Sequence, residues 1–150
     1  MKKIILPVFA IIAFSACTKD KATTPTSTPT PSAKDGFVWK EDGGSEITAD
    51  SAFWTSWSSG TGVRAFKGGM VNFFEINWDA ANNTSIGNKA LEPGKGITFL
   101  KGTATYTNAG AERMNITAFS SDKLSGNFTV TMTGGSIKEL TGTFTNIPKR

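Results

Sequence analysis

From residue 36 onward, apolar and polar side chains alternate with a period of two, and Gly and Asn interrupt the runs at short intervals. In Asn127 to Thr133, Phe128, Val130 and Met132 fall on one side while Asn127, Thr129 and Thr131 fall on the other. That alternation predicts a strand with one buried and one wet face. Gly134-Gly135-Ser136 supplies a permissive turn, and Leu140 to Thr145 runs back with Leu140, Gly142 and Phe144 facing one way, so the pair predicts a hairpin. Its arms share a pattern: Leu124-Ser125-Gly126-Asn127-Phe128-Thr129 recurs as Leu140-Thr141-Gly142-Thr143-Phe144-Thr145. The segment is too short for a repeat architecture and reads as two strands meeting one core constraint.

Further strands are predicted at Phe37 to Lys40, Val63 to Lys67, Met70 to Trp78, Ile97 to Leu100, Thr103 to Thr107 and Met114 to Phe119. Met70 to Trp78 carries apolar residues on both sides, with Val71 and Phe73 against Phe74, Ile76 and Trp78. It is either bulged at Phe73-Phe74 or a central strand covered on both faces. Asp79 to Gly96 reads as a long loop, with room for one helical turn. The whole predicts an all-β domain, an antiparallel β-sandwich or small β-barrel of about seven to nine strands.

The first 35 residues follow other rules. Lys2 and Lys3 precede an uncharged apolar run, Ile4 to Phe14, whose helical length of about 16 Å falls far short of the ~30 Å bilayer core. A short apolar run behind a basic start is the pattern of a signal peptide. Phe14-Ser15-Ala16-Cys17 resembles a lipobox, with Phe14 in the place usually held by Leu. The resemblance implies that residues 1–16 are removed and Cys17 is acylated, which anchors the chain to membrane lipid. Thr18, rather than an aspartate, after the cysteine implies the outer membrane of a Gram-negative cell, at its periplasmic face or its surface. Residues 17–35, rich in Thr, Pro and Ser, form a predicted tether with a maximum reach of about 55 Å. Residues 36–150 remain for the globular domain.

Composition removes whole chemistries. Cys17 is the only cysteine and there is no histidine. The domain therefore has no disulfide, no thiolate or imidazole metal site and no Ser/His or Cys/His nucleophile pair. No metal or cofactor is expected. Lys2 and Lys3 account for two of the 16 basic residues, so without them the balance against 12 acidic residues is +2. The remaining basic residues are scattered, which argues against nucleic acid as a partner.

Phe37-Val38-Trp39-Lys40-Glu41-Asp42-Gly43-Gly44, Ala49 to Trp54, Leu91-Glu92-Pro93-Gly94 and Leu140 to Thr145 together resemble a group of small β-rich lipoproteins of Gram-negative bacteria. The resemblance spans most of residues 36 to 147. It implies the address and the fold, and no activity.

Four tryptophans are many for this length, and an exposed indole is a platform for sugar rings. Trp54 and Trp57 are the candidates. If Ala52 to Ser58 is a strand they point to opposite faces; if it is a helical turn they share one. Asp50-Ser51-Ala52 resembles a bacterial O-glycosylation acceptor at Ser51, and equally a strand start or cap. Asp42-Gly43-Gly44-Ser45-Glu46 lacks calcium-loop spacing and reads as a turn. The acidic residues could supply the carboxylate pair of a glycosidase, although spacing alone does not bring two together. The sequence thus implies a lipid-anchored, non-enzymatic binding module whose partner is a glycan or an envelope protein. A glycan-active enzyme and an envelope assembly subunit are the alternatives.

Overall fold

The computed structural model describes residues 34–58, 60–79 and 84–150. The predicted leader, Cys17 and the predicted tether up to residue 33 lie outside them. The described residues hold eleven strands and no helix: β1 (Gly36–Glu41), β2 (Ile47–Thr48), β3 (Ser51–Trp57), β4 (Gly60–Lys67), β5 (Asn72–Asp79), β6 (Gly87–Leu91), β7 (Ile97–Lys101), β8 (Ala104–Asn108), β9 (Glu112–Ser120), β10 (Lys123–Thr133) and β11 (Glu139–Pro148). All pairings between strands are antiparallel.

The sheet begins from the hairpin that the sequence shows most clearly. Along β10, Leu124, Gly126, Phe128, Val130 and Met132 are buried and the residues between them face outward. In β11, Gly142 pairs with Phe128, and Phe144 pairs with Gly126. The recurring Leu-[Ser/Thr]-Gly-x-Phe-Thr pattern is therefore reciprocal, each glycine lying beneath the other strand's phenyl ring. A methyl group at Gly142 would lie 2.5 Å from Phe128 Cζ, and one at Gly126 would lie 2.4 Å from Phe144 Cζ. The glycines give up side-chain packing of their own and let two large rings lie against the backbone.

From this pair the sheet runs in the order β2-β1-β11-β10-β8-β7-β5-β4-β3, and β9 and β6 branch from β10. β10 pairs with β9 from Lys123 to Thr129 and meets β8 only at Met132 and Thr133. The nine-stranded path curls into a half-barrel. Its two ends, β2 and β3, are neighbours along the chain. Ala49 N–H donates to Phe37 O in β1 and Asp50 N–H donates to Phe66 O in β4, each at 2.8 Å, so the short β2–β3 step spans the ends. Lys149 bridges to Trp54, and Arg150 N–H donates to Trp54 O, on the other side of β3.

The concave side holds the core. Phe74 stacks on Phe99 at 4.2 Å between centroids, with Trp39 at 5.0 Å and Phe37 at 5.2 Å from it. Burying each such ring contributes roughly 2–3 kcal/mol, and each favourable ring pair about 0.5–1.5 kcal/mol more.

Of the two possibilities for Met70 to Trp78, the bulge is excluded and the central position holds, but cover on both faces does not: Phe73 is half-buried and Val71, in the turn before the strand, is exposed. β5 pairs with β4 and β7 without a shift of register, so it is a central strand, with Phe74, Ile76 and Trp78 inward and Phe73 outward. The loop expected from Asp79 to Gly96 instead contains a strand, β6. Two of its residues face inward, and one of them is Lys89, whose Nζ donates to Ser85 Oγ at 2.7 Å. A buried lysine breaks the alternation that would have marked the strand. β2, two residues long, was likewise beyond the reach of periodicity.

A candidate ligand groove beside Trp57

The segment Ala52 to Ser58 lies in a strand from Ser51 to Trp57, with Ser58 in the turn after it, so Trp54 and Trp57 point to opposite faces of β3. Trp54 faces inward and is 2% exposed, its Nε1–H donating to Asp122 O at 3.1 Å and Lys149 Nζ lying 5.0 Å from its ring. That corrects the expectation for Trp54: it is a core residue and offers no platform. Trp39 and Trp78 are buried as well. Trp57 alone of the four is on the outer face, half-buried.

The local sequence explains how an indole can lie flat there. β4 carries Gly60 and Gly62 opposite Trp57 and Thr55. A methyl group at Gly62 would sit 2.7 Å from Trp57 Cη2, and one at Gly60 would sit 3.1 Å from Nε1. The two glycines form a shelf on which the ring rests. Beside it opens a groove of about 260 Å³, lined by Trp57, Gly60, Asn77, Glu92, Lys95 and Gly96 together with Trp78.

The polar side of the groove comes from two elements. Asn77 and Glu75 project from the outer face of β5. Arg64 Nε lies 3.3 Å from Glu75 Oε2, and Asn77 Nδ2 donates to Glu75 Oε1 at 2.9 Å. The carboxylate thereby fixes the amide's orientation and turns Asn77 Oδ1 toward Gly62 and the Trp57 ring, where it has no hydrogen-bond partner. The oxygen is enclosed by these groups, so its missing partner is a cost of seating the indole on the glycines. Glu92 and Lys95 come from the β6–β7 turn and pair with each other at 3.5 Å, both exposed.

That turn is held by a fully buried side chain. Asn108 accepts a hydrogen bond from Ile97 N–H at 3.0 Å and donates to Glu92 O and Gly110 O at 2.9 and 2.8 Å. Gly94 N–H adds a bond to Asn108 O, and Asn77 N–H donates to Gly96 O. Asn108 therefore sets the position of Glu92 and Lys95 relative to the indole. None of Asn77, Glu92, Lys95 and Asn108 was singled out by sequence reasoning. The one usable signal was the outward parity of Asn77, fixed once Phe74, Ile76 and Trp78 are assigned inward.

A second depression of about 370 Å³ lies on the outer face of β1, β11 and β10, lined by Val38, Lys40, Glu46, Asn127, Thr129 and Thr141 among others. Trp39 and Phe128 border it, but their rings point into the core. It offers hydroxyl and amide groups without an aromatic surface.

The remaining candidates have structural work. Asp42 is a turn residue whose Oδ1 accepts Lys138 N–H and Glu139 N–H, both at 2.8 Å, and these bonds hold its carboxyl below the usual value. Asp50 accepts Gly68 N–H at 2.7 Å and Lys67 Nζ at 3.2 Å, which lowers its carboxyl in the same way. Ser51 follows it, exposed at the start of β3. Among the described residues no group of three or more acidic, cysteine or histidine side chains is placed to hold a metal ion. No known protein family, curated protein or solved structure matches the chain.

Proposed function

We propose that this chain is a lipid-anchored module of the bacterial cell envelope that binds glycan, without chemistry, through the Trp57 groove. The observation that carries the reading is the indole of Trp57 laid on Gly60 and Gly62 along a groove that Glu92 and Lys95 also line. A sugar ring presents an apolar C–H face to stack on an indole and hydroxyl groups at its edge to pair with the polar wall of the groove. Glu92 and Lys95 then offer an acceptor and a donor from the opposite wall. One aromatic platform with a few polar groups supports weak affinity, with Kd on the order of 1 mM. Anchoring makes that sufficient, because a tethered module meets its layer at effective concentrations of about that size.

The anchor itself rests on the lipobox resemblance around Cys17, and Thr18 after it favours the outer membrane. Two competing readings draw less support. A glycosidase needs two free carboxyl groups across a cleft, whereas Glu75 is engaged by Arg64 and Asn77. An assembly subunit needs an adhesive strand edge, and β6, whose described pairing is with β9, turns Lys89 inward, a device that discourages edge-to-edge pairing.

Trp57 can be tested by fluorescence of the domain from residue 34 onward, since the other three tryptophans are at most 3% exposed. Acrylamide should quench one accessible component, which Trp57→Phe alters and which added cell-wall oligosaccharides protect. Trp57→Ala should lower oligosaccharide affinity at least tenfold in an NMR titration, with the fold intact. Binding that survives Trp57→Ala would overturn the assignment of this groove.

A further inference from the structure

The end of the half-barrel away from the start of β1 carries a second exposed apolar feature. β4 and β5 are joined by Gly68-Gly69-Met70-Val71, where Gly68 and Gly69 have φ of +64° and +67°. Turns at such positions are ordinarily polar. Here Met70 is 59% exposed and Val71 58% exposed, the largest values for big apolar side chains among the described residues apart from Ile86. The display is rigid: Gly102 N–H, at the β7–β8 turn, donates to Val71 O at 2.7 Å, so two hairpin tips stand locked side by side. Below them the outer face continues apolar across the strands, since Phe66, Phe73 and Leu100 are register partners. Phe66 and Phe73 pack at 5.1 Å. Lys67 and Lys101 flank the tip, paired with Asp50 and Glu41.

We infer that this double hairpin is a lipid-contacting tip, which inserts Met70 and Val71 into the interface of a bilayer. The most exposed apolar side chains, Met70 and Val71, project from a hairpin tip and line no groove, so they suit a deformable lipid surface better than a protein partner, which needs roughly 800 Å² of complementary surface. Two adjacent apolar side chains on a rigid turn, with lysine stems at their flanks to reach the headgroup layer, match the amphipathic pattern of interfacial anchoring. Both lysines are already neutralised by carboxylates, so the contact is driven by apolar burial and calls for no anionic lipid.

The geometry of attachment agrees. The chain joins β1 at Gly36, opposite Thr145, whereas Glu41 at the other end of β1 meets Lys101 beside the tip. The half-barrel is about 36 Å long if its length is that of β10, at ~3.3 Å per residue. The span from Thr18 to Asp35 reaches up to about 55 Å, enough for a domain held at Cys17 to turn its tip onto the same membrane. Only this proximity rests on the anchored reading above.

The test therefore uses the domain from residue 34 onward, which forms a compact unit apart from the N-terminal segment and lacks Cys17. An environment-sensitive fluorophore is attached at Val71→Cys or, as a control on another exposed apolar site, at Ile86→Cys. With vesicles of phosphatidylethanolamine and phosphatidylglycerol, and equally with phosphatidylcholine alone, the label at 71 should shift to the blue and be quenched by brominated lipid, while the label at 86 should not. High salt should change little. Met70→Ser with Val71→Ser should lower the partition coefficient roughly tenfold at an unchanged melting temperature. No shift at saturating lipid, or equal shifts at both positions, would overturn the proposal. A shift that grows with protein concentration in the absence of lipid would overturn it in favour of a second copy. Because Cys17 is absent, failure of the anchor assignment would appear separately, as loss of fatty-acid labelling in the full chain with the vesicle result unchanged.

Discussion

Glycine lies beneath an aromatic ring in the β10–β11 pair, in the β3–β4 pair and at Gly135 under Tyr106, and the first two differ in what stands above the ring. In the β10–β11 pair, Gly126 and Gly142 sit under Phe144 and Phe128, and both rings are sealed in the core. In the β3–β4 pair, Gly60 and Gly62 sit under Trp57, and the ring looks out over a groove. The local device is the same: removing a Cβ lets a large ring lie against the backbone. On the inner face the gain is packing, because the ring is enclosed by other side chains. On the outer face most of that gain is forgone, and what remains is a flat apolar surface offered to solvent. The comparison teaches that the outer shelf is costly to keep unless something binds to it, which is why it, and not the larger threonine-lined depression, is read as the functional site.

The comparison makes its largest prediction for Gly142→Ala. The new methyl would meet Phe128 at 2.5 Å and Val38 O at 2.8 Å, and the enclosed ring has nowhere to move. Stability should fall by about 2–3 kcal/mol in urea unfolding, at the upper part of the range for overpacked cores. Phe128→Leu in the same chain should return part of it, whereas two independent losses would simply add. Gly62→Ala creates contacts as close, at 2.6 Å to Asn77 Oδ1, 2.7 Å to Trp57 Cη2 and 2.8 Å to Ile76 O; the indole can swing into solvent, although the carbonyl cannot. It should therefore cost about 1–2 kcal/mol of stability, less than Gly142→Ala, yet reduce oligosaccharide affinity as much as Trp57→Ala does. Equal stability losses at 62 and 142, with binding retained at 62, would show that the two sites do the same work.

How far the sequence could anticipate this contrast depends on where each contact comes from. Phe128, Val130 and Met132 were legible because one face of β10 is buried throughout, so parity alone assigns them. The opposite orientation of Trp54 and Trp57 was legible too, given a strand. Which of them faces inward was not, because the usual polarity fails in this segment. Phe53 lies outward, stacked on Phe66 at 6.0 Å, while Ser56 lies on the inward side with Trp54. An aromatic stripe on the outer face erases the sign of the pattern while keeping its period. β6 was hidden for a related reason, its inward position being occupied by Lys89. The groove's far wall was beyond local reasoning altogether. Glu92 and Lys95 reach it through Asn108, which is remote in sequence from Glu92 and anchors the turn by backbone contacts that no periodicity encodes.

The smallest effect expected separates the two halves by their turns. Asp42 clamps the β10–β11 side through Lys138 and Glu139 N–H, and Asp50 clamps the β4–β5 hairpin through Gly68 N–H. Both carboxyl groups are held below their ordinary value, chiefly by these backbone donors. A group whose value is depressed by folding stabilises the native state when ionised. Its contribution is complete above about pH 4, where the unfolded chain's aspartates ionise, and is lost as pH falls through the lower folded value. Stability should thus be flat from pH 7 to about 5 on account of these two groups and should decline below that. Asp42→Asn and Asp50→Asn should each flatten part of the decline, and the effect should be small because both carboxylates lie at the surface and are screened by salt. Urea unfolding at pH 7 and pH 3 would measure it. If the inner glycine pair dominates stability as argued, Asp42→Asn should act through global unfolding. Asp50→Asn should act mainly on amide exchange within the Gly68 to Val71 turn, because releasing a hairpin tip leaves the Phe128–Phe144 packing in place. Identical exchange patterns for the two variants would show instead that the halves unfold as one.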